Sequence, residues 1–282
     1  ATAACRDTLA QGGNAMDAAV AASAVLAVVE PTGSGMGGGG FWLIHRAEDG
    51  FEVMIDGRET APMGARLEHY LDAQGEPVSA RSLHGPLAAG IPGQPAALDH
   101  LARQYGRLPL AASLAAAERH ARDGFVLDAE LAEDFVRHWP RFDAGARATF
   151  GVGGQPPKAG DRLKQPDLAA LFAAMREQGA AAFYRGDYAK RLAAGVQAAG
   201  GHWQPADLWG YRVVERAPVV SYFRDARIVS AAPPSAGGVA LATMLGQLEA
   251  LNVTLPLDDQ GRHWVIEAMR RAYADRAAHL GD

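Results

Sequence analysis

The chain has 282 residues, 49% of them hydrophobic, and a formal net charge of −5. That is long and apolar enough to bury a sizeable core, which excludes a disordered chain, and it offers no net basic surface for phosphate backbones, which argues against nucleic acid as a partner. The single cysteine, Cys5, excludes an intrachain disulfide and any CxxC metal or redox site.

Gln11-Gly12-Gly13-Asn14 reads as a turn and an asparagine cap for a helix over 15–29. The helix ends before Glu30-Pro31 because the residue preceding proline avoids the α region. Its alanine content lets neighbours approach closely, so it is expected to be buried. The same run is too short and too alanine-rich to span a membrane, and no positively charged segment precedes it as in a signal peptide, so a soluble chain is expected.

A glycine run follows at Gly33, Gly35, Gly37, Gly38, Gly39 and Gly40. Beyond it, 41–45 and 51–55 are β-prone, and the Asp49-Gly50 pair between them signals a hairpin that delivers Arg58 to a strand end. Pro92-Gly93 opens a helix over 94–105 with Leu98 and Leu101 on one face, and 110–122 continues helically to a stop at Gly124. The stretch 150–161, rich in glycine and proline, reads as a loop that decorates one domain rather than dividing two. Helices are expected over 167–178, between Pro166 and Gly179, and over 184–199. Strands are expected at 213–222 and 226–231. Pro233-Pro234-Ser235-Ala236-Gly237-Gly238 then opens a helix over 239–251, and Asn252-Val253-Thr254 is read as a loop rather than a glycosylation site. A last helix over 263–280 carries Trp264, Ala268 and Ala272 on one stripe and stops at Gly281.

Most motifs fail on context. Gly33-Ser34-Gly35-Met36-Gly37-Gly38 fits G-x-G-x-x-G, but the dinucleotide fingerprint follows a strand and opens a helix, and this run does the reverse. It either lets one backbone pass close beside another or lines a pocket. No histidine stands in H-E-x-x-H, and His263 with Glu267, four apart on a helix, lack further metal ligands. No serine lies in a G-x-S-x-G elbow. Asp275 and Arg276, adjacent on the last helix, do not face each other, and a buried structural ion pair with other neighbours is the expectation for either. That leaves Arg58 in Asp56-Gly57-Arg58-Glu59-Thr60-Ala61-Pro62. A guanidinium fork beside a glycine suits a carboxylate, while the plainer role is a structural pair with Glu59, Asp56 or a distant acid.

Several stretches together resemble the γ-glutamyltransferase (γ-glutamyl transpeptidase) family: 12–21, Val29-Glu30-Pro31, 34–41, 56–62, Pro92-Gly93, 105–110, Gly124-Phe125, Phe183-Tyr184-Arg185-Gly186, 233–238, 272–276 and 280–282. They occur in order over nearly the whole chain. The resemblance implies an α+β fold, the four-layer αββα Ntn-hydrolase sandwich, with residues 1–282 as the large-subunit part of a single domain completed by a small subunit cut from the same precursor. It implies that a threonine at the start of the small subunit is the nucleophile, so no catalytic residue is expected on this chain. Glutathione or another γ-glutamyl amide is the implied acyl donor, and water or an amino acid or peptide amine the acceptor. Arg58 is then the group that binds the donor's α-carboxylate, an interaction worth on the order of 2 to 5 kcal/mol when one partner is removed. No cofactor or metal is implied, and bacterial members of the family are usually exported, so a periplasmic or secreted location is expected, with the cytoplasm as the alternative. Where the family often has Pro-Pro-Pro-Ser-Ser-Gly-Gly, this chain has Ala232-Pro233-Pro234-Ser235-Ala236-Gly237-Gly238. Relatives acting on other acyl groups, such as cephalosporin acylases and a capsule depolymerase, are therefore alternatives, as is a non-catalytic homologue.

Overall fold

The computed structural model describes residues 1–254 and 258–280. The chain is α+β and divides into two compact units: Ala1–Gly40 with Gly57–Val213, and Phe41–Asp56 with the described residues from Val214 onward.

The first unit is helical. After α1 (Thr2–Ala10), α2 spans Ala15–Val29 as its cap and proline predict. The Asn14 side chain accepts the N–H groups of Met16 and Asp17, and the Asp17 carboxylate accepts the Asn14 N–H at 2.8 Å, closing a reciprocal capping box. Asp17 is fully buried, yet it also accepts the N–H groups of Arg107 (2.9 Å) and Leu108 (3.3 Å). A carboxylate so thoroughly hydrogen-bonded tolerates burial and ties α2 to the 106–109 loop. The chain then leaves this unit to form β1 (Gly40–Arg46) and β2 (Phe51–Gly57), returning at Gly57.

Short α3 (Ser79–Leu83) precedes α4 (Gln94–Tyr105) and α5 (Leu110–Asp123). Both α4 and α5 pack on α2, where Ala21, Ala24 and Val28 of α2 and Leu98, Leu101, Leu114 and Ala117 opposite are almost fully buried. The small side chains of α2 permit that close approach. A two-residue ladder of β3 (Phe125–Val126) and β4 (Arg162–Leu163), with α6 (Ala129–His138) and α7 (Ala144–Phe150), encloses a satellite core of Leu127, Leu131, Phe135 and Leu163. Next, α8 (Pro166–Gln178) packs on α5. The helix expected over 184–199 is α10 (Gly186–Ala198), and a short α9 (Ala181–Tyr184) precedes it as a separate helix because Arg185 is extended and Gly186 adopts φ +62°. Helix α11 (Pro205–Gly210) completes the unit.

In the second unit β1, β2 and β5 (Val214–Arg216) form a sheet in that order, with β2 and β5 antiparallel in the register Met54 to Arg216. The single strand expected over 213–222 breaks at Ala217-Pro218, since proline has no N–H to give a ladder. Its second part, β6 (Val219–Phe223), pairs instead with β7 (Ala226–Ser230). Helix α12 (Ala236–Ala250) starts three residues before expectation. Gly237 and Gly238 belong to its first turn, where a Cβ on Gly238 would overlap the Ala231 carbonyl oxygen. Helix α13 (Asp259–His279) also starts early, with the Asp258 carboxylate accepting the Gly261 N–H at 2.6 Å. Its expected stop at Gly281 lies outside the described residues.

Asp275 and Arg276 depart from the expected buried ion-pair role. Both are exposed, and the Arg276 guanidinium lies 5.8 Å from the Tyr273 ring centroid, because Ala268 and Ala272 face the interior and turn this side of the helix outward.

Candidate functional site

Strand β2 ends at Gly57, and Arg58 is the first residue beyond it, half-buried. Within the second unit the strand's end is fixed electrostatically. Asp56 is buried and accepts the Arg216 Nε–H at 2.8 Å from the adjacent strand.

On the first unit's side the backbone around Arg58 is gripped from two directions. One is the glycine run, which divides in two. Gly38 and Gly39 are packing positions: a Cβ on Gly39 would overlap the Gly57 carbonyl oxygen and lie 3.0 Å from both Arg58 Cα and a Glu59 carboxylate oxygen. The Gly38 carbonyl accepts the N–H groups of both Gly93 and Gln94 at 2.9 Å. Gly35 and Gly37, by contrast, meet almost nothing. They border a cavity of about 620 Å³ whose wall also includes Ser34, Pro92, Phe183 and Trp203. The packing reading of the run therefore holds for Gly38 and Gly39, while Gly35 and Gly37 border open space.

The other grip comes from the 89–94 segment and two tyrosines. Thr60 and Ile91 exchange backbone hydrogen bonds, 3.2 and 2.7 Å, and Trp203 Nε1 donates to the Ala89 carbonyl at 3.0 Å. The Tyr184 hydroxyl donates to the Pro92 carbonyl at 2.7 Å and accepts the Ala96 N–H at 3.3 Å. Burial pushes the Tyr184 phenol well above its ordinary value, so it stays a neutral donor. Tyr211, itself buried, donates its hydroxyl to the Arg58 carbonyl at 2.8 Å and stacks on Tyr184 with ring centroids 5.5 Å apart and planes 9° from parallel. A Cβ on Gly93 would overlap both the Gly57 carbonyl oxygen and the Tyr211 hydroxyl. Glycine at 93 is thus required by the crossing of chains.

Of the positions singled out in the sequence, the structure brings together the glycine run, Arg58 and Pro92-Gly93. His263 and Glu267 belong to the second unit. Glu267 pairs with Arg270 at 2.6 Å, which holds its carboxyl below the usual range, and the His263 ring tilts against Trp264. Among the described residues no group of three or more His, Cys, Asp or Glu is placed to hold a metal ion. Nor is any helix there long and apolar enough to cross a bilayer. Tyr184 lies in the Phe183-Tyr184-Arg185-Gly186 stretch singled out in the sequence, whereas Tyr211 escapes a sequence reading: no local pattern links positions 58 and 211.

An α+β chain whose strand-end arginine is gripped at its backbone by a glycine run resembles solved enzymes of the Ntn type. Over 99% of this chain and 81% of theirs, it superimposes on the gamma-glutamyltranspeptidase of Helicobacter pylori with a TM-score of 0.95 and 36% identity. A cephalosporin acylase from Bacillus halodurans gives 0.84 at 30% identity, covering 96% of this chain and 51% of that one. In sequence, the glutathione hydrolase proenzyme of Pseudomonas sp. (strain A14) is 38% identical over 98% of this chain and 49% of its own length. The gamma-glutamyltranspeptidase family model matches residues 1–282, and the chain belongs to that family. It spans about half the length of the curated relatives it matches.

Proposed function

We propose that residues 1–282 are the large-subunit part of a γ-glutamyltransferase, one Ntn-hydrolase domain whose four-layer αββα sandwich is completed by a small subunit from the same proenzyme. The observation that carries this reading is the two-sided grip on the backbone at Arg58, within the family's 56–62 stretch. In this reading the guanidinium binds the α-carboxylate of a γ-glutamyl donor such as glutathione through two parallel N–H···O bonds. The hydroxyl of the small subunit's first threonine adds to the γ-carbonyl, its proton passing to the threonine's own α-amine. The amide C–N bond then breaks, the leaving amine takes that proton, and an ester links acyl group and enzyme. Water or an amine acceptor attacks the ester and restores the threonine. Arg58 takes no part in bond making; it holds the donor so that the γ-carbonyl is presented in one place.

The family membership and the named glutathione hydrolases support this reading over an acylase with another acyl pocket. The likeness to a cephalosporin acylase keeps that second reading specific. Export to the periplasm or medium is part of the proposal and accords with a proenzyme design.

The full proenzyme tests it. Purified protein is expected to cut itself into two polypeptides and to release p-nitroaniline from γ-glutamyl-p-nitroanilide, faster when a dipeptide acceptor is added. Arg58→Lys is expected to process normally while its donor KM rises steeply. Preference for butyryl-p-nitroanilide, which lacks both α-amine and α-carboxylate, would favour the acylase reading, and no cleavage with no turnover would favour a non-catalytic homologue.

A further inference from the structure

The Tyr211 hydroxyl reaches one backbone atom that bears on recognition, the carbonyl of Arg58, at 2.8 Å. Tyr211 is 8% exposed, so this hydrogen bond is largely shielded from water, and its geometry is set by the ring rather than by solvent. The ring in turn lies flat on Tyr184, centroids 5.5 Å apart, and the Tyr184 hydroxyl holds the Pro92 carbonyl. Beside the Tyr211 hydroxyl stands Gly93, whose missing side chain leaves room for both the Gly57 carbonyl and that hydroxyl. A rigid aromatic pair thus spans the segment that begins at Pro92 and the segment that carries Arg58.

We infer that Tyr211 is a positioning residue for donor recognition: its hydroxyl sets where the Arg58 backbone, and hence the guanidinium, meets the donor's carboxylate. The inference rests on the reading of Arg58 given above. A fork that must form two parallel hydrogen bonds is sensitive to small displacements of its root, whereas a point charge is not. The phenol contributes through place alone. It touches neither donor nor nucleophile in this scheme.

The test uses the full proenzyme, processed and assayed with γ-glutamyl-p-nitroanilide and with 4-aminobutyryl-p-nitroanilide, which lacks the α-carboxylate. Removing one buried hydrogen bond predicts that Tyr211→Phe raises KM for the first donor by about 3- to 15-fold with kcat within about twofold, and leaves the second donor unchanged. Tyr184→Phe, a milder variant that keeps the stack, is expected to move KM the same way and less. In an Arg58→Lys background Tyr211→Phe is expected to add nothing, because it acts through the arginine. Equal losses on both donors, or a full additional loss in the Arg58→Lys background, would show a general structural role and overturn the inference. If Arg58→Lys alone raises KM while Tyr211→Phe does not, the positioning role fails and the reading of Arg58 stands. If Arg58→Lys changes nothing, both fail.

Discussion

The helices of the first unit and those of the second use small residues to opposite ends. In the first, alanines on α2 bring α4 and α5 close, and the large side chains Leu98, Leu101 and Leu114 are covered completely. In the second, α12 and α13 pack on each other and bury mainly glycine and alanine: Gly238, Ala240, Gly261, Ala268 and Ala272. Three large apolar side chains of α13 stand outward instead. Ile266 is 56% exposed, Met269 46% and Tyr273 56%, at i, i+3 and i+7 on one stripe. The first unit also leaves large apolar side chains exposed, Leu9, Met63, Leu83 and Val136 among them, but they are spread along the chain, whereas those of α13 share one stripe, which the small subunit would cover in the reading proposed above.

Substitutions can break that contrast. Leu98→Ala, at a fully buried site, is expected to destabilise the first unit by about 2–5 kcal/mol, read as a lower midpoint in denaturant. Ile266→Ala is expected to cost under about 0.5 kcal/mol in a polypeptide of these 282 residues, but about 1–3 kcal/mol in the processed two-polypeptide enzyme. Equal small effects in both would remove the covered-stripe account. Gly39→Ala forces a methyl group onto the Gly57 carbonyl, and a loss of about 1–3 kcal/mol is expected, with donor KM rising as Arg58 shifts. Gly37→Ala, bordering open space, is expected to leave stability within about 0.5 kcal/mol.

The smallest effect expected is a pH dependence in the second unit. Arg227 binds both oxygens of Glu52, at 2.8 and 2.6 Å, and pulls that carboxyl from its ordinary 4.5 to about 2. A folded-state value below the unfolded one means that the contribution is complete above about 4.5 and is lost as pH falls toward 2. Glu52→Gln should therefore lower stability slightly at pH 7, flatten acid unfolding in that window, and converge on the parent as pH falls toward 2. An unchanged acid limb in the variant would remove this ion pair from the account.

What the sequence revealed was local in origin. Asn14 and Pro31 bracket α2, and Pro92-Gly93 with Gly106 bracket α4, because caps and breakers act on their own neighbours. The elements misjudged depend on partners. Pro218 stops a ladder, but which strand takes up β5 and which takes β6 is decided far along the chain. Gly238 reads as a breaker until the Ala231 carbonyl beside it shows why a helix keeps it. Arg58 stands out locally as a strand-end arginine beside Gly57 and takes its expected role from a family stretch, whereas the hydrogen bond from Tyr211 crosses 153 residues and leaves no mark in periodicity.

The central claim, that Arg58 grips the donor's α-carboxylate, is tested most directly by the ratio of kcat/KM for γ-glutamyl-p-nitroanilide to that for 4-aminobutyryl-p-nitroanilide, in the processed enzyme and in Arg58→Ala. Loss of a bidentate partner predicts that the ratio falls at least about 30-fold, with the decarboxylated donor nearly unaffected. A ratio that stays constant, whether both rates fall together or neither does, would contradict it.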